Sequence, residues 1–259
     1  MHLLLPPSEG KNAGGRGRPL RRRPPSQDPL AAGRAAAVAA LLELVRGDPA
    51  SAAEALLLPD GVASDALAVD RAVLDSPTTP AIRRYAGVVY EGLAYASLSE
   101  DQQRIAARST YVFSGLFGIV RGDEPVPNYR VPAKAVLPGL GVAGTFWRPI
   151  LTGVVATTLR RGLIVDLRSS DYAAMWRPDA RISPRVVSIR VLSPAPRGGH
   201  AVISYNSKFA KGRLAAALVA RVAAGAPVGT VDDVVAAWHS WEGAQAAVVT
   251  AQGVDLYTR

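Results

Sequence analysis

Short apolar segments alternate with longer helical segments along the whole chain, and this alternation most constrains the fold. Strands are predicted at 1–5, 163–167, 186–192, 200–205 and 246–250. Helices are predicted at 30–46, 50–58, 65–75, 99–108, 145–161, 207–223 and from 230 onward. The segment 88–93 fits either a strand or a helix start. Ser99 and Gln102 form a capping-box pattern that opens the helix at 99–108. Interleaved strands and helices favour an α/β fold, with a mixed α+β sheet and flanking helices.

No internal boundary divides the chain. Its 259 residues are compatible with one large domain or two small ones. Because no repeat and no Ser/Gly linker separates two halves, we predict a single compact domain. Residues 12–29, rich in Arg, Pro and Gly, are predicted to form a mobile loop. Residues 122–144, dense in Gly and Pro, are predicted to be irregular.

The composition argues against several classes of site. Cys is absent, so the chain has no disulfide framework and no thiolate nucleophile. The three histidines lack a metal-ligand spacing, so we predict no metal site and no cofactor. No stretch approaches the ~20 apolar residues of a membrane span, and the first residues lack a signal-peptide core. We therefore expect a cytoplasmic protein without a membrane partner.

The charge balance favours a polyanionic partner. The formal net charge is +9, although good solubility would explain it equally well. Four of the 30 basic residues are lysines, namely Lys11, Lys134, Lys208 and Lys211. A lysine kept in an arginine-rich chain offers a compact charge and a titratable amine, which arginine does not.

Three motifs with polar side chains directly follow predicted strands, where ligands of α/β proteins gather. The first, Pro6–Lys11, places a hydroxyl, a carboxylate and an amine on one loop, although a plain polar turn has the same composition. The second, 166–172, offers hydroxyls and backbone amides to an anion, or simply caps a helix. With the separate Asn128-Tyr129-Arg130 segment, these motifs supply the candidate anion-binding residues Ser8, Glu9, Tyr129, Arg130, Asp166, Ser169 and Tyr172.

The third such motif, 204–213, concentrates basic residues at a predicted helix start capped by Ser207. Lys208, Lys211 and Arg213 fall in its first turns, where cations are electrostatically unfavourable. This placement indicates pairing with an anion, with Asn206 as a further ligand. Because Lys208 and Lys211 are three residues apart, we expect their repulsion to lower the pKa of at least one amine.

A glycine-rich segment at 113–121 allows three interpretations. Gly115 and Gly118 permit a close backbone approach to phosphate, with Arg121 supplying charge. The same residues fit a DNA-binding helix-hairpin-helix turn, and they equally fit a glycine-rich turn of the core. The segment 137–141 also imitates the short hairpin of that DNA-binding motif.

Together these motifs resemble the YaaA family of peroxide stress proteins. The resemblance extends over Pro7–Lys11 in the PPSEGK form of one subgroup, Gly87–Leu93, Ser114–Arg121, Tyr129–Arg130, Phe146–Trp147, Leu167–Tyr172 and Lys208–Gly212. Asn12 departs from the Thr that is common in that subgroup. The resemblance implies a single α/β domain with a positively charged cleft, a role in oxidative-stress resistance, and DNA binding through a helix-hairpin-helix-like element.

Two functions follow as alternatives. The first is non-specific binding of double-stranded DNA, through Gly115, Gly118, Arg121, Lys208 and Lys211. The second is an enzyme that acts on a phosphorylated or nucleotide-like small molecule, with Lys11, Lys208 and Lys211 as candidate catalytic residues. For the second, one cleft is predicted to contain Ser8, Lys11, Arg121, Arg130, Ser169, Tyr172, Lys208 and Lys211.

Overall fold

The computed structural model describes residues 1–22, 28–195 and 198–259. In these ranges the α-helices are α1 (Ala31–Arg46), α2 (Pro49–Ala55), α3 (Asp60–Arg71), α4 (Ala81–Arg84), α5 (Val88–Leu93), α6 (Glu100–Ser109), α7 (Ala143–Thr158), α8 (Ser170–Ala173), α9 (Ser204–Ala223) and α10 (Val231–His239). The strands are β1 (His2–Leu5), β2 (Thr79–Pro80), β3 (Thr110–Ser114), β4 (Gly118–Arg121), β5 (Pro125–Val126), β6 (Val136–Leu137), β7 (Gly141–Val142), β8 (Ile164–Asp166), β9 (Val186–Pro194), β10 (His200–Ala201), β11 (Ala244–Thr250) and β12 (Gly253–Thr258).

A mixed sheet organises the molecule, in the order β11-β12-β9-β8-β1-β3-β4, with β10 paired to β9. The neighbours from β12 to β3 run parallel, whereas β4, β10 and β11 are antiparallel to their partners. The short strands form two further pairs, β2 with β5 and β6 with β7. The predicted mixed α/β fold and single compact domain are confirmed.

The central strand β1 is apolar on both faces, and both faces are buried. Leu3, Leu4 and Leu5 are all fully buried. Leu3 pairs with Thr110 on one side and Val165 on the other, so the strand has no free edge. A continuous apolar run is typical of a parallel strand in this position.

Local signals located several helices correctly. The capping box predicted at Ser99 and Gln102 is present, and it begins α6. A second capping box, formed by Thr230 and Asp233, begins α10. The ambiguous segment 88–93 is the helix α5, which packs against α9 rather than pairing with a strand.

Other boundaries differ from the prediction. The predicted strand 200–205 ends at Ala201, and α9 already begins at Ser204. Ser207 is therefore a helix-interior residue, whose backbone N–H donates to Ile203 O (2.8 Å), and not the cap. The sequence predicts β11 as the last strand, but β12 follows it and lies between β11 and β9 in the sheet.

The first part of the Arg-rich loop contacts the segment that precedes β2. Gly17 pairs with Thr78, and Arg21 forms a bidentate ion pair with Asp75. Residues 23–27 of the predicted loop lie outside the described residues. The mobility predicted for 12–29 stays a prediction.

Candidate functional site

A cleft opens beyond the carboxyl ends of β1 and β8, in the middle of the sheet. Strands β1 and β8 are neighbours in the sheet. From β1 the chain continues to β3 on one side, and from β8 it continues to β9 on the other side. The loops that leave β1 and β8 therefore diverge. Open α/β sheets bind ligands at such a switch point. The cleft has a volume of about 1070 Å³. Nine predicted site residues line it: Ser8, Glu9, Lys11, Tyr129, Arg130, Ser169, Tyr172, Lys208 and Lys211.

The loop after β1 is fixed to the segment after α4. The backbone N–H of Ala86 donates to Ser8 Oγ (3.0 Å) and to Gly10 O (3.2 Å). The backbone N–H of Asn12 donates to Arg84 O (2.8 Å). Lys11 Nζ then donates to Ser8 O at 2.8 Å. These hydrogen bonds fix the backbone of the loop, and the loop places the Lys11 amine in the cleft.

Lys11 lies against two aromatic rings. Its Nζ is 4.3 Å from the ring centroid of Tyr129 and 5.4 Å from that of Tyr85. Burial lowers the pKa of Lys11 to about 7, and the nearby Asp70 partly opposes this change. The amine is therefore close to half neutral at physiological pH.

Asp70, on α3, is a buried carboxyl beside this amine. It is fully buried, and its Oδ1 accepts a hydrogen bond from the Arg130 backbone N–H (2.7 Å). Its Oδ2 has no hydrogen-bond partner among the described residues. Burial raises the pKa of Asp70 to about 7. No sequence pattern points to Asp70, because nothing distinguishes it from any other acidic residue of a helix.

Tyr129 is the middle member of a chain of three buried hydroxyls. Its hydroxyl lies 2.6 Å from Tyr85 OH and 2.6 Å from Ser114 Oγ. Ser114 Oγ in turn accepts hydrogen bonds from the backbone N–H groups of Leu116 and Phe117. Since these hydroxyls bond to one another, Tyr129 presents its ring face to Lys11 rather than a free hydroxyl to a ligand.

The loop after β8 is built around a buried ion pair. Arg168 Nε and Nη2 donate to the two carboxylate oxygens of Asp166 at 2.9 and 2.7 Å. The guanidinium lies 4.2 Å from the ring centroid of Phe113. Arg168 also presents its backbone oxygen to Lys211 Nζ (3.1 Å). Asp166, a predicted anion-binding residue, is thus paired with Arg168, and it does not line the cleft.

The two lysines of α9 differ in exposure. Lys208 is exposed at the cleft, whereas Lys211 is half-buried. Burial lowers the pKa of Lys211 to about 8, with Asp166 opposing. The cause is therefore loss of water and not the predicted repulsion between the two amines. Because α9 begins at Ser204, both lysines also lie beyond the first turn, where the helix dipole acts most strongly.

Three other predicted anion-binding residues lie elsewhere. Arg121 ends β4, which is an edge strand of the sheet, and its guanidinium is paired with Asp123. Asn206 and Arg213, on α9, do not line the cleft. The prediction that Arg121 shares a cleft with Lys208 is wrong, since the turn before β4 directs that strand away from the carboxyl ends of the parallel strands.

The glycine-rich segment is part of the core. Gly115 and Gly118 are buried in the turn between β3 and β4. A Cβ at Gly115 would overlap Val131 O and Pro132 O, and one at Gly118 would overlap the ring of Trp147. Of the three interpretations, the core turn is correct. Both this segment and 137–141 form β-hairpins, so neither is a helix-hairpin-helix element.

Lys134 joins the cleft although it was not among the predicted site residues. Its amine pairs with Asp171 at 2.9 Å. All four lysines of the chain therefore line the same cleft. The scarcity of lysine in the sequence is the signal that could have identified Lys134 as a site residue.

Two kinds of feature are missing from the described part of the chain. In residues 1–22, 28–195 and 198–259, no helix is long and apolar enough to cross a membrane. The same ranges hold no group of three or more His, Cys, Asp or Glu side chains arranged to bind a metal ion.

Known proteins resemble this chain over most of its length. The sequence profile of the family described as "Peroxide stress protein YaaA" matches residues 1–234. A UPF0246 protein of Streptomyces coelicolor is 41% identical over 220 residues, which cover 85% of this chain and 83% of the relative. A UPF0246 protein of Corynebacterium efficiens is 33% identical over 240 residues, covering 90% and 91%. The chain is thus a member of the YaaA peroxide stress protein family.

Proposed function

We propose that the cleft binds a phosphorylated or nucleotide-like small molecule and that the protein acts on it as an enzyme. The observation that carries this proposal is the convergence of all four lysines on one cleft, in a chain with 30 basic residues. A solubility role would distribute lysine over the surface. Convergence at the switch point of the sheet instead favours a ligand that needs amines.

The charges around the cleft favour an anionic ligand. Among the described residues that line it, Lys and Arg outnumber Asp and Glu by seven to two. One of the two carboxylates, Asp171, is paired with Lys134, and the other, Glu9, accepts a hydrogen bond from Arg130 Nη2 at 3.0 Å. Arg168 and Arg190 are also paired, with Asp166 and Asp255. The three lysines Lys11, Lys208 and Lys211 form no ion pair among the described residues, and they are left to attract phosphate oxygens, which an ammonium group binds well.

Two amines in the cleft are suited to proton transfer. The pKa values of Lys11 and Lys211 are lowered to about 7 and about 8 by burial. A general base works best with a pKa near the operating pH. These lysines could therefore accept a proton from a bound substrate, which arginine could not.

Replacement of Lys211 or Lys208 by Arg tests the enzyme proposal. Arg keeps the charge but loses the titratable amine and the compact geometry. We expect Lys211→Arg to abolish rescue of peroxide survival in a strain that lacks the gene, with little change in melting temperature. We expect Lys208→Arg to reduce rescue as well, because the larger guanidinium displaces the anion.

Arg160 offers the control, because it is exposed and does not line the cleft, and Arg160→Lys should rescue fully. Full rescue by both Lys208→Arg and Lys211→Arg would refute the enzyme proposal. It would instead support binding through phosphate contacts, which tolerate either cation.

Non-specific binding of double-stranded DNA is the second candidate. It is favoured by the net charge of +9 and by Arg16, Arg18 and Arg22, which are exposed around a shallow depression of about 450 Å³. Since Gly115 and Gly118 are buried, the loop that contains these three arginines is a better candidate for contact with DNA than the glycine-rich segment.

A salt titration tests DNA binding. If the three loop arginines contact phosphates, the logarithm of the binding constant should fall linearly with the logarithm of salt concentration, with a slope of about −3. Arg16→Ala should reduce that slope by about 1. Fluorescence anisotropy with a labelled duplex measures both. Binding that does not depend on salt would exclude this mode.

A further inference from the structure

The amine of Lys11 lacks the carboxylate partner that a buried lysine normally has. Its one hydrogen bond goes to the backbone oxygen of Ser8. Among the described residues no carboxylate oxygen lies within 4.0 Å of Nζ, in contrast to the pair of Lys134 with Asp171. Lys11 is half-buried, and without such a partner the desolvation of its ammonium form is not offset. The geometry therefore favours a neutral, nucleophilic amine.

The surrounding charges act on the pKa of this amine in both directions. Asp70 and Glu9 favour the ammonium form, and Arg130 and Arg84 oppose it. Burial remains the dominant influence, and it lowers the pKa of Lys11 to about 7. Lysines activated by desolvation in this way form covalent intermediates with carbonyl compounds.

The aromatic rings beside Lys11 would stabilise a cation formed on its nitrogen. The ring face of Tyr129 lies 4.3 Å from Nζ, within the range of a cation–π interaction. An iminium ion carries its positive charge at this same nitrogen. The cleft thus offers both a neutral amine for attack and a site for the cationic product.

We propose that Lys11 forms an imine with the aldehyde or ketone group of a phosphorylated ligand. The Nζ lone pair attacks the carbonyl carbon, and the carbonyl oxygen takes up a proton to give a carbinolamine. The hydroxyl group then takes up a second proton and leaves as water. Of the two protons that the oxygen has gained, one comes from the nitrogen. The product is the protonated imine. No oxidant or reductant is needed.

The ligand class follows from the neighbours of Lys11, and this inference rests on the proposed anionic ligand of the cleft. Lys208 and Lys211 line the same cleft and supply charges for a phosphate group. The volume of about 1070 Å³ accommodates a phosphorylated carbonyl compound between these lysines and Lys11.

Imine trapping tests the proposal with pyridoxal 5′-phosphate as the probe, because it combines an aldehyde with a phosphate. After borohydride reduction at pH 7, mass spectrometry locates the adduct among the four lysines. We expect Lys11 to be labelled at least about tenfold more than the exposed Lys134. Pyridoxal without the phosphate should label Lys11 less, and inorganic pyrophosphate should compete with the phosphorylated probe. Lys11→Arg should lose the adduct.

Equal labelling of Lys11 and Lys134, or an adduct mainly on Lys211, would overturn the proposal. Labelling of the unaltered protein decides this even if Lys11→Arg does not fold. Calorimetry with pyrophosphate measures binding of an anion independently of imine formation. Pyrophosphate binding without an adduct would refute the imine alone, whereas loss of both would also refute the anionic ligand.

Discussion

Replacement of Gly212 by Ala is expected to lower the free energy of unfolding by about 3 kcal/mol, at the upper end of the usual cost of overpacking. Helices α5 and α9 pack with Gly92 and Gly212 against each other's backbones. A Cβ at Gly212 would overlap Val89 O and lie 2.7 Å from the backbone nitrogen of Leu93. The better helix propensity of Ala returns only about 1 kcal/mol. The overlap with the backbone outweighs this gain, so the net effect of Gly212→Ala on stability is unfavourable.

Thermal melting measures this effect, which corresponds to a fall of about 6–12 °C in melting temperature. Gly153→Ala is the matched control, since Gly153 is exposed in α7 and an added Cβ there would meet no atom within 4 Å. It should raise stability by up to about 1 kcal/mol. Equal melting temperatures for the two variants would contradict the close approach of α5 and α9.

This packing also bears on the cleft. Val89 on α5 and Lys211 on α9 both line it, and the two glycines set the distance between their helices. A variant that folds with the helices pushed apart should therefore also bind the ligand more weakly.

Arg84→Met is expected to destabilise the protein by about 3–5 kcal/mol. Arg84 is fully buried, and its guanidinium donates hydrogen bonds to four backbone oxygens, those of Asn12, Gly14, Pro77 and Val126. Met would fill much of the space but would leave these oxygens without their donor. The loop that begins at Lys11 should loosen as a consequence.

Chemical denaturation measures the change in stability, and hydrogen exchange at residues 10–17 reports the loop. Arg83→Met serves as the control, because the adjacent Arg83 is exposed and donates to Gln103 Oε1 at 3.1 Å. Its loss should cost no more than about 0.5 kcal/mol. If Arg84→Met lowered the free energy of unfolding no more than Arg83→Met does, the hydrogen bonds of Arg84 would not be what holds the loop in place.

The sequence by itself determined the elements whose signals are local. The apolar run of β1 and the capping box of Ser99 and Gln102 predicted a strand and a helix that the structure contains. The rarity of lysine and the polar motifs after β1 and β8 also predicted residues that meet in one cleft. These inferences succeeded because strand ends of a parallel sheet lie at one edge, whatever the connections between them.

Only the tertiary structure decided which groups are buried and which are near each other. Gly115 and Gly118 face the core, and Arg121 faces away from the cleft, because the β3–β4 hairpin reverses the chain. The pKa of Lys11 is lowered by burial among segments that are distant in sequence, including Asp70 and Tyr129. Desolvation depends on the atoms that enclose a group, and a one-dimensional pattern does not specify them.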